Sequence, residues 1–129
     1  MADDEAGSIV EQLWTRIGAG DYGGARALMG EDFVLEWPQS GERIEGPDNA
    51  LEIDRNFPGG LPSMRFRRTV AGGDLAVLEV ELTYADGSVY QAVSIAEVRD
   101  GKVRKQTEYF AEPFEAPQWR AQWVTRIPG

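Results

Sequence analysis

The side chains of this protein that can move a proton are few in kind. Its 129 residues include no histidine and no cysteine. Imidazole relays, thiolate nucleophiles, disulfides and zinc–thiolate sites are therefore excluded by composition, and acid–base work falls to carboxylate, tyrosine or lysine. Glu108 lies in the run Gln106-Thr107-Glu108-Tyr109-Phe110. A carboxyl among apolar neighbours resists ionisation, which suits it to take a proton alpha to a carbonyl or to return one to an oxygen. Tyr84 is the candidate catalytic partner, with Gln91 and Gln106 as further uncharged donors able to orient a carbonyl or hold an enolate oxygen. Trp14, Trp37, Phe66 and Phe110 would wall a pocket for a flat, small apolar or aromatic ligand, with Arg68 near its edge. Each has a structural alternative. Glu108 can be buried in a salt bridge to Arg68 or Arg104, the donors can satisfy Glu108 or sit at a rim, and the aromatics can be ordinary core.

Two other patterns carry no chemistry. Gly18-x-Gly20-x-x-Gly23 matches a dinucleotide fingerprint in letters, but it follows a helical pattern where the mechanism requires a strand. Glu79 and Glu81 alternate along one extended run, with no turn to gather more oxygen ligands around a cation. No metal site and no cofactor are expected.

The elements that must position these residues follow from periodicity. Ile9, Val10, Leu13, Trp14 and Ile17 recur at helical spacing, and Ser8 with Glu11 forms a capping box, which leaves residues 1–7 as a flexible tail. Asp21 caps a short second helix carrying Ala25, Leu28 and Met29 up to Gly30. Phe33 to Trp37 reads as a strand halted by Pro38, and Gly46-Pro47 opens a third helix that runs to Pro58-Gly59-Gly60. Extended runs at about 63–71, 75–85, 88–99 and 102–111 are separated by Gly72-Gly73, Asp86-Gly87 and Asp100-Gly101, the signals of an antiparallel meander. Residues 112–129 form a C-terminal extension in which Trp119 and Trp123 stand one helical turn apart, to pack on the domain or on a partner.

Register follows if each turn has two residues. Arg99 then pairs with Lys102, Glu97 with Arg104, Ile95 with Gln106 and Val93 with Glu108, while Tyr84 pairs with Val89 and Leu82 with Gln91. This count puts Ala76, Leu78, Val80, Leu82 and Tyr84 on the core face with Gln91, Gln106 and Glu108. Tyr90, Ala92, Ser94 and Ala96 face out with Lys105, Thr107 and Tyr109. A three-residue loop at Gly72-Gly73-Asp74 is preferred, because it puts Phe66 and Val70 inside and leaves the arginines of that strand in water.

Composition bounds the partners. The net charge of −9 repels nucleic acid and anionic membrane surfaces. No apolar run reaches the roughly 18 residues of a membrane helix, and the acidic opening is unlike a secretory signal. The expectation is one soluble, cytoplasmic domain with no nucleic-acid or membrane partner.

The order of elements, with an aromatic strand ending at Pro38 and a last strand running from Asp100-Gly101-Lys102-Val103 to Glu108-Tyr109-Phe110, resembles the nuclear transport factor 2-like superfamily, in particular its SnoaL-like branch. The likeness spans about residues 8–112 within a single domain, 1–129. It implies an α+β, cone-shaped (cystatin-like) roll, with three N-terminal helices packed on a curved antiparallel sheet around a pocket, and homodimers through the outer sheet face. It implies a small-molecule binding protein that is either a cofactor-independent isomerase or cyclase, or a non-catalytic ligand-binding or dimerisation module. The limonene epoxide hydrolase pattern maps its last-strand aspartate onto Glu108, but its inner-strand arginine is missing at Glu79-Val80-Glu81. The tyrosine that ketosteroid isomerases carry on the first helix is Trp14 here.

Overall fold

A computed structural model describes the backbone of residues 2–128 and the side chains of residues 5–128. Three helices, α1 (Ala2–Gly18), α2 (Tyr22–Arg26) and α3 (Pro47–Arg55), pack on one face of a curved, unclosed sheet. Its strands are β1 (Met29–Trp37), β2 (Glu42–Glu45), β3 (Ser63–Gly72), β4 (Leu75–Thr83), β5 (Val89–Arg99) and β6 (Lys102–Ala111), in the spatial order β2-β1-β6-β5-β4-β3. The sheet is mixed. All neighbours are antiparallel except β1 and β6, which run parallel with Leu35 opposite Gln106 and Glu36 opposite Thr107. That pairing corrects the wholly antiparallel expectation: 64 residues of helix and meander separate the ends of β1 and β6, so no hairpin rule applies between them.

The core lies between sheet and helices. In α1, Ala6, Val10 and Leu13 are buried at successive turns and Ile9, Trp14 and Ile17 pack beside them, one apolar stripe of an amphipathic helix. The helix starts at Ala2, not at Ser8. Ser8 is inside it, where its hydroxyl accepts from Gln12, and Glu11 accepts from Thr69 on β3. The buried Ala6 overrides the expected tail, whose first residue, Met1, lies outside the described residues. Asp21 does cap α2 by accepting from Gly24 N–H at 2.9 Å, but the helix stops at Arg26. Met29 and Gly30 belong instead to β1, where Val103 N–H donates to Leu28 C=O at 2.7 Å. Sheet pairing there outweighs a marginal five-residue helix.

Three departures from two-residue-turn geometry set which side chains face inward. At Gly72 the turn has two residues, so Val70 pairs with Val77 and is 57% exposed. A bulge at Arg67 then shifts the register and returns Phe66 to the interior. At the next hairpin Tyr84 N–H bonds Ser88 C=O across a three-residue loop closed by Gly87 at φ 88°, the left-handed position such a loop needs. The extra residue turns β5 over. Ala92, Ser94, Ala96 and Val98 are buried, and Gln91 is exposed opposite Glu81. Between β5 and β6, Asp100 and Gly101 both adopt positive φ and Arg99 pairs with Lys102 as expected. A bulge at Arg104 then moves Glu97 to Lys105, Ala96 to Gln106 and Ser94 to Glu108. Two one-residue shifts cancel, so Gln106 and Glu108 face inward as expected while β5 has the opposite parity.

Residues 112–128 continue beyond β6 with a short 3₁₀ segment, Gln118–Trp123. Trp119 and Trp123 are 74% and 71% exposed, so they do not pack on their own domain. Among the described residues no helix is long and apolar enough to cross a membrane.

The Arg104 bulge yields a direct test. Replacing Arg104 by alanine removes exposed ion pairs and costs less than about 1 kcal/mol. Deleting Arg104 forces either Val103 or the Gln106–Glu108–Phe110 set to the wrong face and costs more than about 3 kcal/mol. Urea denaturation of the two variants measures the difference.

Candidate functional site

A cavity of about 140 Å³ opens between the inner sheet face, α1, α3 and the loop that follows α3. Its walls are apolar: Phe33, Leu35 and Trp37 come from β1, Phe110 from β6, Trp14 from α1, and Phe57 from beyond α3. Alternation along β1 aims residues 33, 35 and 37 the same way, and alternation along β6 aims 106, 108 and 110 at them.

Glu108 sits among these groups with 7% of its surface exposed. Its Oε1 accepts from Trp37 Nε1 at 3.1 Å and its Oε2 accepts from Ser94 Oγ at 3.2 Å. These donors favour the charged form, but burial opposes it more strongly, and the nearby Asp54 adds like-charge repulsion. The carboxyl is pushed up to about 7. No arginine or lysine lines the cavity among the described residues. Arg68 pairs with Glu79 at 3.5 Å on the outer face, and Arg104 pairs with Asp32 at 3.0 Å. The salt-bridge alternative for Glu108 is thereby set aside.

Of the residues singled out by sequence, Glu108, Tyr84, Trp14, Trp37, Gln106 and Phe110 meet at the cavity. Three do not. Phe66 packs into the core away from the lining, because the Arg67 bulge places it beside Val80. Arg68 is exposed on the outer face, and the inverted parity of β5 carries Gln91 there too. Tyr84 stacks on Phe57 at 6.0 Å and meets Tyr90 edge-on at 4.9 Å. Burial raises its phenol further, so at neutral pH it remains a donor. Gln106 is 5% exposed and lines the cavity beside Glu108.

Two functional groups escaped the sequence reading. Asp54, on α3, lines the cavity, and burial pushes it up to about 6. The signal was available: it follows Ala50 by four residues and Leu51 by three, so it stands on the buried stripe of its helix. Ser94 was assigned to the outer face by the miscounted hairpin, and no local signal corrects that. Gln39 is a further positioning group. Its carboxamide accepts from Phe110 N–H at 2.6 Å and donates to Phe110 C=O at 2.9 Å, which extends the β1–β6 seam past Trp37 and holds the end of β6 in place.

Such an arrangement has two carboxyls of raised pKa on opposite walls, a phenol and a carboxamide as neutral donors, and a dry aromatic surround. Groups of this kind, so placed, are able to give and take protons.

Comparison with known proteins bears on the fold and family. Residues 10–106, three quarters of the chain, match the SnoaL-like domain family. A crystal structure of an NTF-2 like protein of unknown function from Burkholderia xenovorans LB400 is 36% identical, with a TM-score of 0.84 over 99% of both chains. A Kribbella flavida DSM 17836 protein provisionally called a ketosteroid isomerase is 28% identical, with a TM-score of 0.89 over 100% of this chain and 94% of that one. A shorter likeness, 42% identity over 52 residues, is to the 3-hydroxyacyl-[acyl-carrier-protein] dehydratase FabZ of Anaeromyxobacter sp. (strain K); it covers 40% of this chain and about a third (33%) of that protein's length. The match over residues 10–106 and the full-length structural likenesses together place the chain in the SnoaL-like domain family of the nuclear transport factor 2-like superfamily.

Proposed function

We propose that the cavity binds a small, uncharged, apolar or aromatic carbonyl compound and that the protein is a cofactor-independent isomerase or cyclase acting through Glu108. The observation that carries this reading is the Glu108 carboxyl, buried in an apolar cavity without a cation and pushed up to about 7. A base near neutrality is ionised often enough to act and basic enough to take a proton from carbon. In the proposed step, on a β,γ-unsaturated carbonyl compound, the Glu108 carboxylate removes a proton alpha to the carbonyl, and electrons move to the oxygen as a dienolate held by Tyr84 or Gln106. The same carboxyl then returns the proton at the gamma carbon, leaving an isomer with its double bond moved. Trp37 and Ser94 hold both oxygens of Glu108 in place and lower the cost of its charged state.

Size narrows the ligand. An apolar cavity of about 150 Å³ accommodates benzene, so this one of about 140 Å³ takes about one six-membered ring unless its walls move. The likeness to the Kribbella flavida protein supports the isomerase class. The form of the non-catalytic alternative in which an arginine neutralises Glu108 is not favoured by the geometry, since Arg68 and Arg104 are paired elsewhere.

Cyclohex-3-enone is a suitable probe, since its conversion to the conjugated enone is followed by ultraviolet absorbance. The wild-type chain accelerates that conversion over buffer. Glu108→Gln lowers kcat/KM by about 10²–10⁴-fold, and Tyr84→Phe by about 10²-fold if the phenol holds the oxygen. Equal rates for wild type and Glu108→Gln would refute the assignment.

The pH dependences run in opposite directions. Activity rises with pH to a plateau above about 7, as the Glu108 base ionises. Stability moves the other way. A carboxyl whose folded pKa is raised from 4.5 to about 7 contributes stability that is full below its unfolded pKa and is lost as pH rises through the folded one. Relative to Glu108→Gln, the wild type should lose on the order of 3 kcal/mol between about pH 4.5 and pH 7. Urea unfolding of both proteins across that range checks the slope.

A further inference from the structure

The segment beyond β6 turns its apolar side chains to water. Phe114, Trp119, Trp123 and Ile127 are 80%, 74%, 71% and 89% exposed, and Val124 is 48% exposed. Five large apolar groups within one short segment form a patch, beyond the scattered exposure ordinary for a monomer. The segment nevertheless has local order: Trp119 and Trp123 share the 3₁₀ element, and its exit from β6 is fixed by the two Gln39–Phe110 hydrogen bonds.

A matching surface exists on the same chain. On the outer sheet face Val70, Leu75, Val93 and Tyr109 are 57%, 43%, 37% and 42% exposed. Register joins them into a stripe from β3 to β6, with Val70 opposite Val77, Val77 opposite Ile95, and Val93 opposite Tyr109. Glu97 and Glu79 belong to the same face, Glu79 already paired there with Arg68 at 3.5 Å. The charges are complementary as well. The arm, residues 113–128, contains Arg120 and Arg126 against a single acidic side chain, Glu115, which leaves −10 on the remainder of a chain of net charge −9.

The areas agree with a stable pair. An aromatic side chain buries about 150–250 Å². Three of them therefore bring on the order of 450 Å², and the stripe that receives them brings a similar amount. Reciprocal exchange then buries about 800–900 Å² per copy, the size of a standard specific interface. Alignment over 99% of both chains with the Burkholderia xenovorans protein gives this segment a counterpart there.

We propose that residues 113–128 form an exchanged arm, which lies across the outer sheet face of a second copy of this chain while that copy's arm reciprocates. Pairing through the sheet face alone would leave the segment and its two tryptophans without a role.

Light scattering on size-exclusion chromatography tests the arm with the full chain, a chain ending at Glu112, an arm variant (Trp119→Glu with Trp123→Glu) and a face variant (Val93→Glu with Tyr109→Glu). The full chain should be a dimer. The truncated chain and each variant should dissociate at least 100-fold more readily, and mixing the arm and face variants should restore a heterodimer, in which one arm–face pair is intact. Circular dichroism and a cooperative melt establish that the monomers are folded; if the truncated chain does not fold, the two double variants carry the test. A monomeric full chain, or variants that dimerise as tightly as the full chain, would overturn the proposal.

Discussion

Trp37 and Glu108 meet across the parallel seam between β1 and β6, an indole nitrogen 3.1 Å from a carboxylate oxygen, 71 positions apart in the chain. A buried carboxylate without a partner gives up its charge by holding a proton, and one paired with arginine loses its basicity. Two neutral donors, the Trp37 indole and the Ser94 hydroxyl, are the compromise. They satisfy the oxygens without supplying a countercharge, so the group stays titratable near neutrality. The seam, the aromatic walls and the Gln39 clamp on Phe110 all hold that geometry in place.

The helices matter to the site chiefly as the wall that covers the sheet. α1 contributes Trp14 and Ile17, while α3 contributes Ala50, Ile53 and Asp54. Asp54 gives that wall its polarity. Its charge and that of Glu108 disfavour each other, and among the described residues no cationic side chain stands on the lining to offset them. Membership of the SnoaL-like family is compatible with several activities, so the functional reading rests on these side chains and not on the fold.

The two faces of the sheet have separate tasks. The inner face encloses the cavity. The outer face pairs charged groups such as Arg65 with Glu81 and Lys105 with Glu36, around a partly exposed apolar stripe. One strand therefore presents a catalytic candidate, Glu108, and a surface group, Tyr109, at adjacent positions.

By itself the sequence determined the helix-then-meander order, the α+β class, the apolar stripe of α1, the start of α3 at Pro47 and the exclusion of histidine and cysteine chemistry. These depend on spacing within one segment, which local sterics and periodicity control. Tertiary structure decided the parallel pairing of β1 with β6, the meeting of Trp37 with Glu108, and the parity of β5. Strand parity has a period of two, so a single extra residue at the Tyr84–Ser88 loop or at the Arg104 bulge reverses every side chain that follows. Glu108 was located correctly because those two reversals cancel, whereas Ser94 and Gln91 lie between them and were placed on the wrong faces. Asp54 was legible as a polar residue on an apolar helical stripe, but only packing of α3 over β1 placed it opposite Glu108, since no local pattern encodes which wall a helix will face.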